Sequence, residues 1–356
     1  MTLLEQLGLS LPLVQAPMAG TSTPALAAAV SNAGGLGSLG VGATDAPGAR
    51  SMIEEVRGRT DRAFNINLFI HHKPPRDPAR DAAWLDWLAP LFAEFGATPP
   101  EELRILYKSF RDDPDMLALL LETAPPVVSF HFGLPSPDII AALRARGSLL
   151  LATATCLEEA LAIEAAGLDG IVAQGIEAGG HRGIFDPATQ DPALGTFALT
   201  RLLVRRVGLP VIAAGGIMDG AGIAAAIDLG AVAAQMGTAF IACPESAADD
   251  AYRAALAGPG AYHTTLTDFI SGRPARALAN RFTALMATAE GRRPTHYPTA
   301  YDAGKALHAA ARQCGEHGFG AHWAGQGAPL ARAMPAAALV ETLKAEWLRC
   351  RADRPK

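Results

Sequence analysis

Gly170-Ile171-Val172-Ala173, running on into Gln174-Gly175-Ile176-Glu177-Ala178-Gly179-Gly180-His181-Arg182-Gly183, is the stretch from which the rest of the chain can be read. Four apolar residues in succession, without polar alternation, read as a strand covered on both faces, the pattern of a parallel sheet. The strand ends in glycines and delivers one histidine. Glycine lets backbone N–H groups approach a ligand closely, and His181 is the one side chain of the turn that titrates near neutral pH. A strand-to-turn unit of this kind builds a pocket for a small molecule.

Seven similar apolar runs flank it: Leu13–Ala19, Leu36–Gly42, Phe64–Ile70, Val127–Gly133, Leu149–Ala154, Pro210–Gly216 and Ala233–Phe240. Helices with legible ends lie between several of them. Thr23-Pro24 opens one that Gly34 follows, and Ser136-Pro137-Asp138 opens another that Gly147 closes. Thr155 and Glu158 have the spacing of a capping box before a helix ended by Gly167. Thr196 to Val207 is closed by Gly208, and Asp219 to Leu229 by Gly230. Strand and helix repeated eight times predict an α/β chain folded as a (β/α)8 TIM barrel. A doubly wound open sheet is the competitor, but it has fewer strands and places its glycine-rich turn after the first.

Two stretches fall outside the repeat. The segment from His71 to Pro126 is rich in proline and aromatics (Trp84, Trp87, Phe92, Phe95, Tyr107, Phe110), and the tail after Cys243 is helical in pattern with no further strand runs. We expect a barrel from residues 1–72 and 116–250, and a helical cap from residues 73–115 and 251–356. The cap would lie over the carboxyl ends of the strands, where barrel active sites lie.

Composition narrows the function. Half of the 356 residues are hydrophobic and 18% are charged, which allows a large core, and the net charge of −5 gives no electrostatic reason to expect nucleic acid or an anionic membrane as partner. The four cysteines have no C-x-x-C spacing, which argues against a disulfide framework and against zinc and fits a reducing cytoplasm. Residues 6–44 carry no formal charge, yet three prolines and seven glycines interrupt them, and Met1–Gly8 lacks the basic flank of a signal peptide. Buried core is the reading, with neither export nor membrane insertion expected.

The strand ends carry the chemistry. The first supplies Pro17-Met18-Ala19, the third Asn67, the fourth His131, and the sixth Gln174 with Gly179-Gly180-His181. The seventh supplies Gly215-Gly216 and the eighth Gln235-Met236-Gly237-Thr238. Glycines after the last two strands, beside helix N-termini, form the phosphate grip of such barrels. Asn67, Gln174 and Gln235 offer neutral amides to the edge of a flat heterocycle, and Met18 and Ala19 can pack against its face. One phosphate and one heterocycle, with no arginine run for a second phosphate, suggest a mononucleotide such as FMN. Glycines serving only turns are the competing reading; it holds for a single pair and weakens for the whole set. The His71-His72 pair reads as solvated, because neighbours on an extended segment face opposite ways and cannot chelate together. H-E-x-x-H, G-x-S-x-G and Walker patterns are absent, removing the corresponding hydrolase and P-loop readings.

LPLVQAPMAG (Leu11–Gly20), QGIEAGGHRG (Gln174–Gly183), PVIAAGGIMDG (Pro210–Gly220) and QMGTAF (Gln235–Phe240) together resemble the class I nitronate monooxygenases, also called 2-nitropropane dioxygenases. The resemblance spans nearly the whole chain and keeps motif order. It implies FMN-dependent oxidation of alkyl nitronates by O2 to a carbonyl product and nitrite through a flavin semiquinone, without nicotinamide or metal. Propionate 3-nitronate is the typical substrate, and detoxification the purpose it suggests. By the same resemblance His181 is the catalytic histidine, and Asn67, Gln174, Gly179, Gly216 and Gln235–Thr238 are flavin ligands. The tail segment YPTAYDAGK places Tyr297, Tyr301 and Lys305 on the substrate side, with Tyr107 and His131 as further members. An ammonium at Lys305 would attract a substrate carboxylate; a solvated helix face is the competing reading for that residue. The alternative function is an FMN-dependent NAD(P)H reductase, of quinones or enoyl-thioesters, on the same barrel. A non-enzymatic FMN- or phosphate-binding protein is the third, and His181 within the glycine turn argues against it.

Overall fold

All eight apolar runs contain strands. In the computed structural model, which describes residues 2–352, they are β1 (Leu13–Gln15), β2 (Gly37–Gly40), β3 (Phe64–Phe69), β4 (Val127–His131), β5 (Leu149–Ala154), β6 (Gly170–Gln174), β7 (Val211–Ala214) and β8 (Ala233–Met236). Residue 1 and residues 353–356, the outer ends of the expected domain ranges, lie outside the described residues. Parallel ladders join β2 to β3 and so on around to β8, which pairs with β1, Leu13 opposite Ala234. A parallel bridge between Val14 and Leu36 brings β1 back to the entry of β2 and closes the (β/α)8 barrel.

The runs outlast the strands at their carboxyl ends: Leu13–Ala19 is strand only to Gln15, and Pro210–Gly216 only over Val211–Ala214. Residues just past the last ladder bond do not pair and are only partly covered, Ala16 to Ala19 half-buried and Gly216 exposed at the rim. Alternation along each strand then sorts the side chains. Val14, Val127, Leu151, Val172, Ile212 and Ala233 fill the barrel interior, while Ile66, Leu68, Val128, Phe130, Ile171 and Ala173 face the surrounding helices. The same parity points Asn67, His131, Gln174 and Gln235 inward at the end where the strands finish.

Local capping follows the sequence in places and departs from it in others. Thr23 accepts from the Leu26 N–H and Asp219 from the Gly222 N–H. The expected Thr155/Glu158 box is displaced by one residue: Cys156 is the N-cap, and both the N–H and hydroxyl of Thr155 bond to Glu159. Glu159 also accepts the Phe185 N–H, so a tertiary contact has drawn it inward.

Over the strand ends, helix Pro78–Ala93 from the insertion and helix Thr299–Gln313 from the tail share one core. Trp84, Leu88 and Phe92 pack there with Phe269, Phe282, Leu307 and Phe319. Two features differ from the helical expectation for the tail. Thr264–Thr267 (β9) and Ala275–Leu278 (β10) form an antiparallel ribbon, and β10 pairs further with Gly180–His181, so the ribbon grips the glycine turn directly. The helix Ala336–Ala352 packs on the barrel rather than the cap, with Leu339, Val340 and Leu343 against Leu26, Val30, Ile223 and Ala226. Gly220 makes that approach possible, since a Cβ there would lie 2.3 Å from the Trp347 nitrogen. Among the described residues no helix is long and apolar enough to cross a membrane.

Candidate active site

A cavity of about 720 Å³ opens at the carboxyl ends of the strands. Every site residue expected from the sequence lines it: Pro17, Met18, Ala19, Asn67, Tyr107, His131, Gln174, Gly179, Gly180, His181, Gly215, Gly216, Gln235–Thr238, Tyr297, Tyr301 and Lys305. Barrel and cap both contribute, so residues more than 280 positions apart face the same space.

His181 is held at its backbone and along its ring. Its carbonyl accepts from Gln174 Nε2 at 2.9 Å and from His131 Nε2 at 3.2 Å. A carbonyl only accepts, so His131 carries its proton on Nε2, and its Nδ1 faces the Thr153 hydroxyl at 3.1 Å. His181 Nε2 lies 2.8 Å from Ser271 Oγ. Phe132, Tyr297 and Trp323 surround the imidazole with centroids 5.1 to 5.7 Å away. Burial, then the charges of His131, Arg273 and His71, hold its pKa down at about 3. Burial likewise depresses His131 to about 4. Both rings are neutral at physiological pH.

The residue after the histidine fixes the turn from below. Arg182 is buried, forks onto Asp191 at 2.8 and 3.1 Å, and donates to the Gln174 and Gly175 carbonyls. Gln174 accepts the Gly183 N–H at 2.8 Å through Oε1. Both ends of that amide are therefore engaged within the turn, which makes Gln174 a holder of His181 as well as a lining residue. Asn67 Nδ2 donates to Ser129 Oγ at 2.9 Å.

The opposite wall suits a phosphate-bearing ring compound. Gly215 and Gly216 sit consecutively at φ +124° and +69°, a conformation that turns backbone rather than side chain toward the cavity and that other residues adopt only with strain. Gly237 leads into the short helix Thr238–Ile241, and Met18 lies beside it, 3.6 Å from where a Gly237 Cβ would be. Glycine backbone on one side, amides of Asn67 and Gln235 on another, and a Met18 face form a donor set that fits a flavin mononucleotide.

On the cap side, Lys305 Nζ lies 5.0 and 5.1 Å from the ring centroids of Tyr107 and Tyr301. Burial lowers its pKa. The neighbouring carboxylate, Asp302, is taken by Arg104. Lys305 thus has no ion-pair partner among the described residues.

Several residues around the site were not anticipated. His71, expected in solvent, is buried, packs edge-on against Tyr297 at 5.0 Å, and is depressed to about 4 chiefly by burial. The cap closes over that segment, which a local reading could not foresee; His72 remains outside, beside Arg111. Trp323 had a signal, an aromatic within a Gly- and His-rich tail segment. Ser271 and Arg273 had none. Phe132 follows β4 at φ +75°, outside the range a bulky residue ordinarily adopts, and the Arg273 guanidinium stacks 4.2 Å from its ring centroid.

The chain is similar to known proteins along nearly its whole length. The family model described as nitronate monooxygenase matches residues 2–346. A protein of Paraburkholderia phytofirmans named nitronate monooxygenase is 63% identical over 344 residues, spanning 97% of this chain and 94% of its own. One of the same name from Pseudomonas aeruginosa is 59% identical over 341 residues, spanning 96% and 97%. A solved nitroalkane oxidase from Streptomyces ansochromogenes superposes with a TM-score of 0.89 at 42% identity, covering 98% of this chain and 99% of that one.

Proposed function

This chain belongs to the nitronate monooxygenase family, and on that premise we propose that it is an FMN-dependent oxidoreductase converting propionate 3-nitronate and related alkyl nitronates, with O2, to a carbonyl product and nitrite. The observation that carries this reading is the single cavity in which His181, boxed by aromatics, faces the same space as the glycine cradle and the unpaired Lys305.

The backbone of Gly215, Gly216, Gly237 and Thr238 would take the FMN phosphate, Asn67 and Gln235 the ring edge, and Met18 and Ala19 a ring face. The chemistry that FMN supplies when bound is the redox exchange between nitronate and O2. The residues of the chain do the rest. Lys305 receives the substrate carboxylate, its ammonium seated against the rings of Tyr107 and Tyr301 at the mouth of the cavity. Tyr297, whose buried hydroxyl makes no hydrogen bond among the described residues, lines the same cavity and would face the nitronate end. Gln174 and His131 hold the His181 backbone so that its ring stands over the reacting carbon. Phe132, Tyr297 and Trp323 restrict the ring to one orientation and keep bulk water from the reacting carbon.

Anaerobic mixing of the purified flavoprotein with propionate 3-nitronate, and separately with NADH, tests the reading. The flavin spectrum should change with the nitronate and stay unchanged with NADH. Bleaching by NADH with no response to the nitronate would instead make the protein a reductase.

A further inference from the structure

Ser271 is fully buried and has one hydroxyl proton for two neighbouring acceptors. Its Oγ lies 2.8 Å from His181 Nε2 and donates at 3.2 Å to the Arg273 carbonyl, while the Arg273 N–H approaches the same Oγ at 3.4 Å. Two arrangements are possible. If Ser271 donates to His181, the Arg273 carbonyl has no donor among the described residues, since no other group there bonds it. If Ser271 donates to Arg273, its two lone pairs take the Arg273 N–H and a proton carried on His181 Nε2. Only the second satisfies every group, as buried polar atoms require.

We propose that Ser271 is a positioning residue that holds His181 in its Nε2–H tautomer, leaving Nδ1 as the lone pair the ring offers to the cavity. The other constraints on His181 agree with this. Its carbonyl is pinned by Gln174 and His131, and Gly180–His181 is laddered to Arg276 and Ala275 of the ribbon that carries Ser271 at its turn. The rings of Phe132, Tyr297 and Trp323 packed around the imidazole then restrict exchange of its two nitrogens. The consequence rests on the functional reading above and sharpens it. A neutral ring with Nδ1 unprotonated accepts a proton or a hydrogen bond and does not donate to the nitronate oxygens. His181 then acts as acceptor or base toward substrate, and donation to the anion belongs to hydroxyls such as that of Tyr297.

The test is the tautomer itself, read by long-range proton–nitrogen correlation NMR on the flavin-loaded protein with ring-labelled histidine at pH 7. His181 should give the Nε2–H pattern, with His131, whose Nε2 faces a carbonyl, as an internal reference of the same kind. In Ser271→Ala the His181 signals should shift to a mixture of tautomers or to Nδ1–H, with turnover lowered about tenfold or more; Ser271→Thr, which keeps the hydroxyl, should restore the wild-type pattern. An Nδ1–H or doubly protonated His181 in the wild-type spectrum overturns the proposal, and so does an unchanged pure Nε2–H pattern in Ser271→Ala. The wild-type spectrum decides even if the alanine variant fails to fold. Full nitronate turnover in His181→Asn would remove the functional reading while leaving the tautomer result intact.

Discussion

Replacing Lys305 with methionine keeps most of the side-chain volume and removes the charge, which isolates what that charge does. In the structure its ammonium rests on Tyr107 and Tyr301 while the residue stays exposed, and it has no carboxylate partner among the described residues. A substrate carboxylate about 4 Å away would gain about 4 kcal/mol of Coulomb energy at an effective dielectric near 20. Solvent exposure, screening and the cost of ordering the side chain reduce this to about 2 kcal/mol. That corresponds to a loss of about 30-fold. The loss should appear in kcat/KM for propionate 3-nitronate, chiefly through KM, because the carboxylate is remote from the reacting carbon and binds equally in ground and transition states. Propyl-1-nitronate, which has no carboxylate, is the control and should change less than about threefold. Steady-state oxygen consumption with both substrates measures the difference. Equal losses on the two would refute the reasoning and return Lys305 to a packing role.

His181→Asn should purify with its flavin, since the cradle lies on other strands, yet lose about 100-fold or more of nitronate turnover; near-normal turnover would remove His181 from the chemistry. Gly179→Ala would place a Cβ 2.5 Å from the Gly325 nitrogen and 2.6 Å from the Ala324 carbonyl carbon. The turn and the tail must then separate, at a cost of about 2 kcal/mol. A lower melting temperature and weakened flavin retention are expected, measured by thermal denaturation and by the absorbance ratio of flavin to protein. The buried histidines set a pH dependence of stability. His181 at about 3 and His71, His131 and His322 at about 4 all lie below their ordinary value of 6.5. Between pH 6.5 and about 4 the unfolded chain binds protons that the folded chain refuses, so stability is full above pH 6.5 and falls with pH across that window. Each histidine contributes up to about 1.4 kcal/mol per pH unit. Urea midpoints at pH 7.5 and 5.5 should differ in that direction, and a flat profile would show that the histidines are not buried neutral.

The barrel was legible in the sequence because its signals are local. A parallel strand covered on both faces is an apolar run wherever its partners lie, and Thr23, Asp219 and the closing glycines mark helix ends within a few residues. The motifs Leu11–Gly20, Gln174–Gly183, Pro210–Gly220 and Gln235–Phe240 were legible for the same reason. Each is a strand end plus its turn, and the barrel gathers all such ends at one rim. The ribbon Thr264–Thr267 and Ala275–Leu278 was not legible. Its strands are short, and the partner that stabilises one of them, Gly180–His181, lies more than 90 residues earlier.

What the sequence alone determined, then, is the eightfold repeat, the rim where the cavity opens and the histidine that lines it. The tertiary structure decided the state of that histidine. Whether His71 is wet or buried, which nitrogen of His181 meets Ser271, and whether Lys305 finds a carboxylate all depend on how the cap closes over the barrel. Burial and hydrogen-bond partnership are properties of three-dimensional neighbourhood. No period along the chain encodes them.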